Sequence, residues 1–571
     1  MRLINTVTGL FEEFIGRNIP KYAILSHTWE EEEVSIKDMS LPSRNNKKGY
    51  RKVEMTCQIA SQAGFGYAWV DTCCIDKSSS AELTEAINSM YRWYQRAEVC
   101  YVFLADLPAS ASLNVALQNC RWFTRGWTLQ ELIAPGIIFF FDQEWNNRGT
   151  KRELVEDLSR ITGINTKILL HAQRLSSVAV AQKMSWAANR KTTRVEDAAY
   201  CLLGIFNVNM PLLYGEEEKA FRRLQEEIIR STSDFSIFAW RMPSVTEKGK
   251  RLKGRKFSGI LAETPLAFAG CTSFERDPNY EQREFSITNN GIKTYHHQLF
   301  CEPIRGKSGF RYILPLDCYW GLQQFLGARL RKCGPHQFVR EDPEALVELK
   351  PHYCLSTPAE KYFLTELPEM KLPPDSPLLD ASFFIAQTRL HVLQIKLPPE
   401  MHISDVWPWS RFDDEDQLFF VSSNFPRRDS GALIFEIDYV FGVGRRETKV
   451  AFTCAFFSAG WSEPIVENLQ CTVVDYQQFA PGLNELRTQT IIWDSRHDLL
   501  QSLLYHKIPK SSSATFAIPS IEAEALVSFT PTLITDPKVC RNKFWRIEFS
   551  CKIYKTKDIP QIHHEKWILE N

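Results

Sequence analysis

Four short apolar runs, separated by segments of helical pattern, constrain this chain more than any other feature. They lie at 22–25, 67–70, 99–104 (VCYVFL) and 136–141 (GIIFFF). The stretch VEMTCQIASQAGF, 53–65, reads as a helix stopped near Gly64. The stretch SSAELTEAINSMYRWYQRA, 79–97, reads as a helix with a serine cap and acids in its first turn. In it Leu83, Ile87, Met90, Tyr91 and Tyr94 fall on one face. RWFTRGWTLQELIA, 121–134, reads as a third helix, ending at Pro135-Gly136 just ahead of the fourth run. Strands that are apolar on both faces and alternate with helices predict a parallel sheet covered by helices on both sides. In such sheets ligands sit at the carboxyl ends of the strands. Ser26, His27, Trp29, Asp71, Cys73, Cys74 and Asp76 all stand just after strand ends.

The pattern then changes twice. From about 151 to 235 it is helical, in KRELVEDLSRITG, SVAVAQKMSWAANR, RVEDAAYCLLGIF and GEEEKAFRRLQEEIIRS, with Gly163 as a C-terminal stop for the first. These helices are expected to pack on the sheet. After Asp234 the chain reads as strands. REFSITNNGIKTYHHQLF predicts a hairpin around Asn290-Gly291. FWRIEFSCKIY alternates Trp545, Ile547, Phe549, Cys551 and Ile553 with polar residues, the mark of a half-buried antiparallel strand. A proline-rich stretch at 366–380 sets a boundary. The expected domains are therefore an α/β domain at 1–150, a helical extension at 151–235, and a β-rich region in two parts, 236–370 and a sandwich-like 371–571.

Composition narrows the function. The 571 residues carry 68 Lys plus Arg against 68 Asp plus Glu, so no global basic footprint favours nucleic acid. No apolar run is long enough to span a membrane, and no signal peptide is expected at the N-terminus. The 15 cysteines are scattered, with Cys73-Cys74 the one close pair and no CxxC, which points to reduced thiols in a cytoplasmic protein rather than disulfides or a metal site. No GxxxxGK[ST] occurs. The basic run at 248–256 reads as a solvated loop, and Trp407 and Trp409 raise a carbohydrate- or lipid-binding reading of the C-terminal part, set against ordinary packing.

The motifs YAILSHTW, AWVDTCCID, ELTEAINSMYRWYQRAEVCYVFL and RGWTLQEL, in that order, resemble the fungal heterokaryon-incompatibility (HET) domain. The similarity continues through RVEDAAYCLLGIFNVNMPLLYGE and SDFSIFAW and covers roughly residues 1–240. Glu30 departs from it, since the family usually carries glycine there. The resemblance implies a role in cell death on fusion of incompatible individuals and, through a distant likeness to Toll/interleukin-1 receptor (TIR) domains, a flavodoxin/TIR-like sheet. It further implies NAD as a candidate substrate, cleaved at the nicotinamide–ribose bond, and partners that are copies of the chain or other incompatibility proteins.

On that implication Glu131, four residues after Trp127, is the catalytic candidate. Ser26, His27, Trp29, Asp71, Cys74, Asp76, Arg125 and Trp127 are candidates for substrate binding. Arg125 or His27 would meet a phosphate, Trp29 or Trp127 would wall a ring, and Asp71 and Asp76 would orient ribose or order the loop. No metal and no bound cofactor is expected. The ordinary alternatives are a Glu131–Arg125 ion pair, core roles for Trp122 and Trp127, and inert buried thiols at Cys73 and Cys74. A non-catalytic interaction module remains the competing function.

Overall fold

The computed structural model describes residues 1–16 and 18–243, and beyond them most of 246–365 together with strands and short connections within 392–420, 429–475, 513–535 and 544–555. The first sheet has seven strands: β1 (Arg2–Asn5), β2 (Phe11–Glu13), β3 (Tyr22–His27), β4 (Tyr67–Trp69), β5 (Val99–Phe103), β6 (Ile138–Phe141) and β7 (Asn147–Thr150). Their order is β2-β1-β4-β3-β5-β6-β7. The four apolar runs are β4, β3, β5 and β6. They pair in parallel, with Ile24 beside Trp69, Leu25 beside Tyr101, and Tyr101 beside Phe139. Every residue of β3 and β5 is buried, as expected for strands covered on both faces. The sheet as a whole is mixed rather than wholly parallel. β1 joins β4, β2 joins β1, and β7 joins β6, all antiparallel. β2 and β7 are the edges and β1 stands second from one; all three are short and none carries a continuous apolar run like those of β3 and β5.

In the same stretch the helices are α1 (Ile36–Met39), α2 (Tyr50–Gln62), α3 (Asp71–Cys74), α4 (Ser80–Arg96), α5 (Leu113–Ala116) and α6 (Thr128–Ile133). The α4 cap is as expected: Ser79 Oγ accepts from the Glu82 amide at 3.3 Å. Ala86, Ile87, Met90 and Tyr94 form its buried face. The segment 121–134 is not one helix. Arg121–Thr124 is a single 3-10 turn, the chain breaks at Arg125-Gly126, and α6 begins at Thr128. The break has a tertiary cause. Gly126 N–H donates to Lys191 O at 2.9 Å and Lys191 N–H donates to Thr124 O at 2.6 Å, so the helical ladder gives way to a bridge with a distant strand-like segment.

From 151 onward the helices are short: α7 (Val155–Thr162), α8 (Thr166–Leu169), α9 (Val180–Ser185), α10 (Asp197–Tyr200), α11 (Leu203–Phe206) and the longer α12 (Lys219–Ser231). Gly163 ends α7 at φ 70°, a left-handed conformation that glycine adopts without strain. Buried Lys151 donates to Leu132 O at 3.2 Å and Pro135 O at 2.5 Å, satisfying carbonyls at the end of α6. Burial pushes its ammonium down to about 8.

The remainder is β-rich. A second sheet is dominated by the hairpin of Phe310–Trp320 and Gln324–Gly334, and smaller sheets follow it. The Asn290-Gly291 hairpin is present, with Thr288 opposite Gly291. Phe544–Lys555 does alternate: Ile547 and Phe549 are buried while Glu548 and Ser550 are exposed. It pairs antiparallel with Ala523–Ile534 on one side and parallel with Val392–Lys396 on the other. The proline-rich stretch at 366–380, most of the basic run at 248–256, Trp409, and the side chain of Trp407 lie outside the described residues. One hydrophobic core runs from Leu3 to Phe363. Fully buried Arg340 donates to Phe238 O at 2.6 Å and Trp240 O at 2.5 Å and lies 4.0 Å from the Trp240 ring.

Candidate functional site

The carboxyl edge of the parallel strands opens into a cavity of about 290 Å³. His27 ends β3, Trp29 follows it, and Asp71 begins α3 directly after β4. All three line the cavity, as do Arg125, Trp127 and Glu131. Six residues singled out from sequence thus share one concave surface. Its apolar wall comes from α4, through Leu83, Ile87 and Met90, with Ile75 beside them. Its far wall comes from more than sixty residues downstream: Thr193, Arg194, Asp197 and Tyr214.

Glu131 forms part of the cavity floor and is 7% exposed. Ser26 Oγ donates a short hydrogen bond to its Oε2. Trp122 Nε1 in turn donates to Ser26 Oγ at 2.8 Å. Because that oxygen accepts the indole proton, its own proton is free to point at the carboxylate. No arginine is in ion-pair contact with Glu131 among the described residues. Burial raises its carboxyl to about 8, with nearby Asp71 adding to the rise and the Ser26 bond opposing it. Trp122 is fully buried, a core residue rather than a wall; Trp127 is the indole that reaches the cavity.

His27 is 6% exposed, and neither ring nitrogen has a hydrogen-bond partner. Its Nε2 lies 3.7 Å from Glu33 and its Nδ1 3.7 Å from Asp71, both beyond hydrogen-bond distance. Asp71 accepts from Trp29 Nε1 at 2.7 Å, which fixes that half-exposed indole at the mouth. Asp197 is buried and accepts from Tyr214 Oη at 3.0 Å. Burial raises its carboxyl above the ordinary value despite that bond.

Three of the singled-out residues do not reach the cavity. Ser26 sits behind Glu131 as its hydrogen-bond donor. Cys74 is buried, its Sγ accepting from the Val70 amide at 3.4 Å. Contact with Cys74 and burial push the neighbouring Cys73 thiol well above its usual range, which fits an inert pair. Asp76 closes a turn, accepting from Ser78 N–H at 2.9 Å and Ser78 Oγ at 2.6 Å. Lys77, Arg194, Asp197 and Tyr214 also line the cavity, and sequence reasoning misses them. Lys77 directly follows the AWVDTCCID motif, and Arg194, Asp197 and Tyr214 lie within RVEDAAYCLLGIFNVNMPLLYGE. Their sequence signal was therefore present, but their meeting with β3 and β4 was not legible.

Residues 22–116 match the family model described as Heterokaryon incompatibility protein (HET), and residues 219–294 match one described as Domain of unknown function (DUF8212). The chain is similar to the vegetative incompatibility protein HET-E-1 of Podospora anserina, with 45% identity over 256 residues, 43% of this chain and 19% of that protein. The chain thus spans about a fifth of the length of the curated relative it matches. No solved structure matches significantly.

Proposed function

We propose, from the premise that this chain carries a heterokaryon-incompatibility domain, that it is an effector of vegetative incompatibility and that its cavity cleaves NAD at the nicotinamide–ribose bond. The observation that carries the reading is Glu131 on the cavity floor, beside an aromatic wall and at the carboxyl edge of the sheet. The parallel strands, numbered along the chain, run 2-1-3-4, which supports the flavodoxin/TIR-like kinship and the use of that edge. Action in the cytoplasm, on assembly with further copies or with other incompatibility proteins, belongs to the same reading.

The chemistry asks little of the protein. The C–N bond breaks with its electron pair on nicotinamide, which leaves neutral and needs no acid. A sugar cation develops, and water adds to the anomeric carbon with loss of a proton. Glu131 as carboxylate would accept from the ribose hydroxyls and face that charge. Ser26 acts on it as a positioning residue. Trp127 and Trp29 would bound the ring and limit water.

A non-catalytic interaction module is favoured by a different observation: Glu131 is almost covered, and burial raises its carboxyl to about 8, which disfavours the carboxylate that cleavage would use. Nicotinamide release from NAD by the concentrated chain, beside folded Glu131→Ala and Glu131→Gln variants, separates the two. Release by wild type alone supports the enzyme. No release by any of them, even when the chain is forced to oligomerise, leaves the interaction module.

A further inference from the structure

The cavity is acidic within and cationic at its mouth. Buried Glu131 and Asp197, with half-buried Asp71, stand inside, whereas Lys77, Arg125 and Arg194 line it from more exposed positions. None of these three cations is in ion-pair contact with a carboxyl group among the described residues, although Glu131, Asp71 and Asp197 line the same space. Each is held instead by a neutral group. Lys77 Nζ lies 3.4 Å from the centroid of the Trp29 ring. Arg125 donates to Thr193 Oγ1 at 3.1 Å. Arg194 lies 4.3 Å from the Tyr214 ring centroid. Aromatic faces and a hydroxyl hold a cation without occupying it in a salt bridge, so the three donors at the mouth stay open to an anion although the carboxyl groups inside attract them at longer range.

Size points the same way. About 290 Å³ falls at the small end of ligand pockets, enough to enclose a nucleoside-sized moiety and not a whole dinucleotide. A ligand whose ribose enters must leave its next group at the mouth.

We propose that this mouth is a diphosphate-binding site, with Lys77, Arg125 and Arg194 as its anion-binding groups, so that the cavity selects phosphate-bearing nucleotides over free nucleosides. The inference rests on the nucleotide reading of the cavity given above. Two of the three groups, Arg125 and Arg194, lie outside the residues that match the HET family model, and Lys77 lies within them.

Binding of ADP-ribose and of adenosine to the chain, followed by calorimetry at two salt concentrations, tests it without requiring cleavage. The site predicts that ADP-ribose binds more tightly than adenosine, and that its affinity falls with salt. Lys77→Met, Arg125→Gln and Arg194→Gln should each weaken ADP-ribose about tenfold. Arg194→Lys, which keeps the charge, should retain part of the affinity and guards against reading a misfolded variant as a result. Failure of the wild type to bind ADP-ribose, or wild-type affinity in the folded neutral variants, overturns the proposal. NAD cleavage with unchanged KM in those variants would sink the phosphate site and leave the enzyme. ADP-ribose binding that the variants lose, in a chain that never cleaves NAD, would do the reverse.

Discussion

Glu131 is the residue on which both readings of the cavity turn, and its proton is measurable. Its folded value, about 8, lies above the ordinary 4.5. Between those values the folded chain holds one proton more than the unfolded chain. This contribution to stability is therefore full below about 4.5 and is lost as pH rises to about 8. Denaturation of wild type against Glu131→Gln should show the wild type losing about 1.4 kcal/mol per pH unit relative to the variant across that window. If cleavage requires the carboxylate, kcat/KM should rise with pH and level off above about 8. A stability difference independent of pH would mean that Glu131 is already ionised and freely solvated.

At the scale of elements, the cavity exists because a broken helix meets a distant segment. Gly126 approaches 191–192 so closely that a Cβ there would sit 2.5 Å from Thr192 Cγ2. Rotating Thr192 away would break the bond that its Oγ1 donates to Arg194 O at 2.7 Å. Gly126→Ala should therefore cost about 1–3 kcal/mol by overpacking and displace the Arg194 segment. Urea denaturation reads the first effect. Weaker ADP-ribose binding, with adenosine less affected, reads the second. A variant with wild-type stability and binding would show that the bridge between 124–126 and 191 is not what holds the far wall.

For the whole molecule, the core continues past the residues that resemble the HET domain. Trp240 Nε1 donates to Ile260 O at 2.8 Å, and Gln225 exchanges two hydrogen bonds with Ala262. Arg340 then caps carbonyls at 238 and 240 from the second sheet. A fragment ending at residue 240 loses all of these partners and exposes Phe235, Phe238 and Trp240, each fully buried in the chain. It should melt below the 571-residue chain and self-associate on size-exclusion chromatography. Arg340→Ala should cost at least about 2 kcal/mol by leaving buried carbonyls unpaired. A monomeric 1–240 fragment with the melting temperature of the longer chain would instead make the boundary near 235 a true domain limit.

Local pattern determined the strands 22–27, 67–69, 99–103 and 138–141, the Ser79 and Gly163 caps, the Asn290-Gly291 hairpin and the alternation at 547–550, because each is set by apolar period or by the chemistry of neighbouring residues. The rule that ligands gather at strand ends brought His27, Trp29 and Asp71 to attention, and the motif brought Glu131, Arg125 and Trp127; all six line the cavity. The antiparallel edges, the break at Arg125-Gly126 and the far wall of Arg194, Asp197 and Tyr214 were decided by tertiary structure alone. The pairing of β1 with β4, the break and the far wall depend on segments far apart in the chain, whose partner no local pattern specifies, whereas β2 and β7 are short local hairpin partners that lack a continuous apolar run. The same holds for Glu131: sequence supplies a carboxylate, but only its burial beside Ser26 and Asp71 raises its proton affinity.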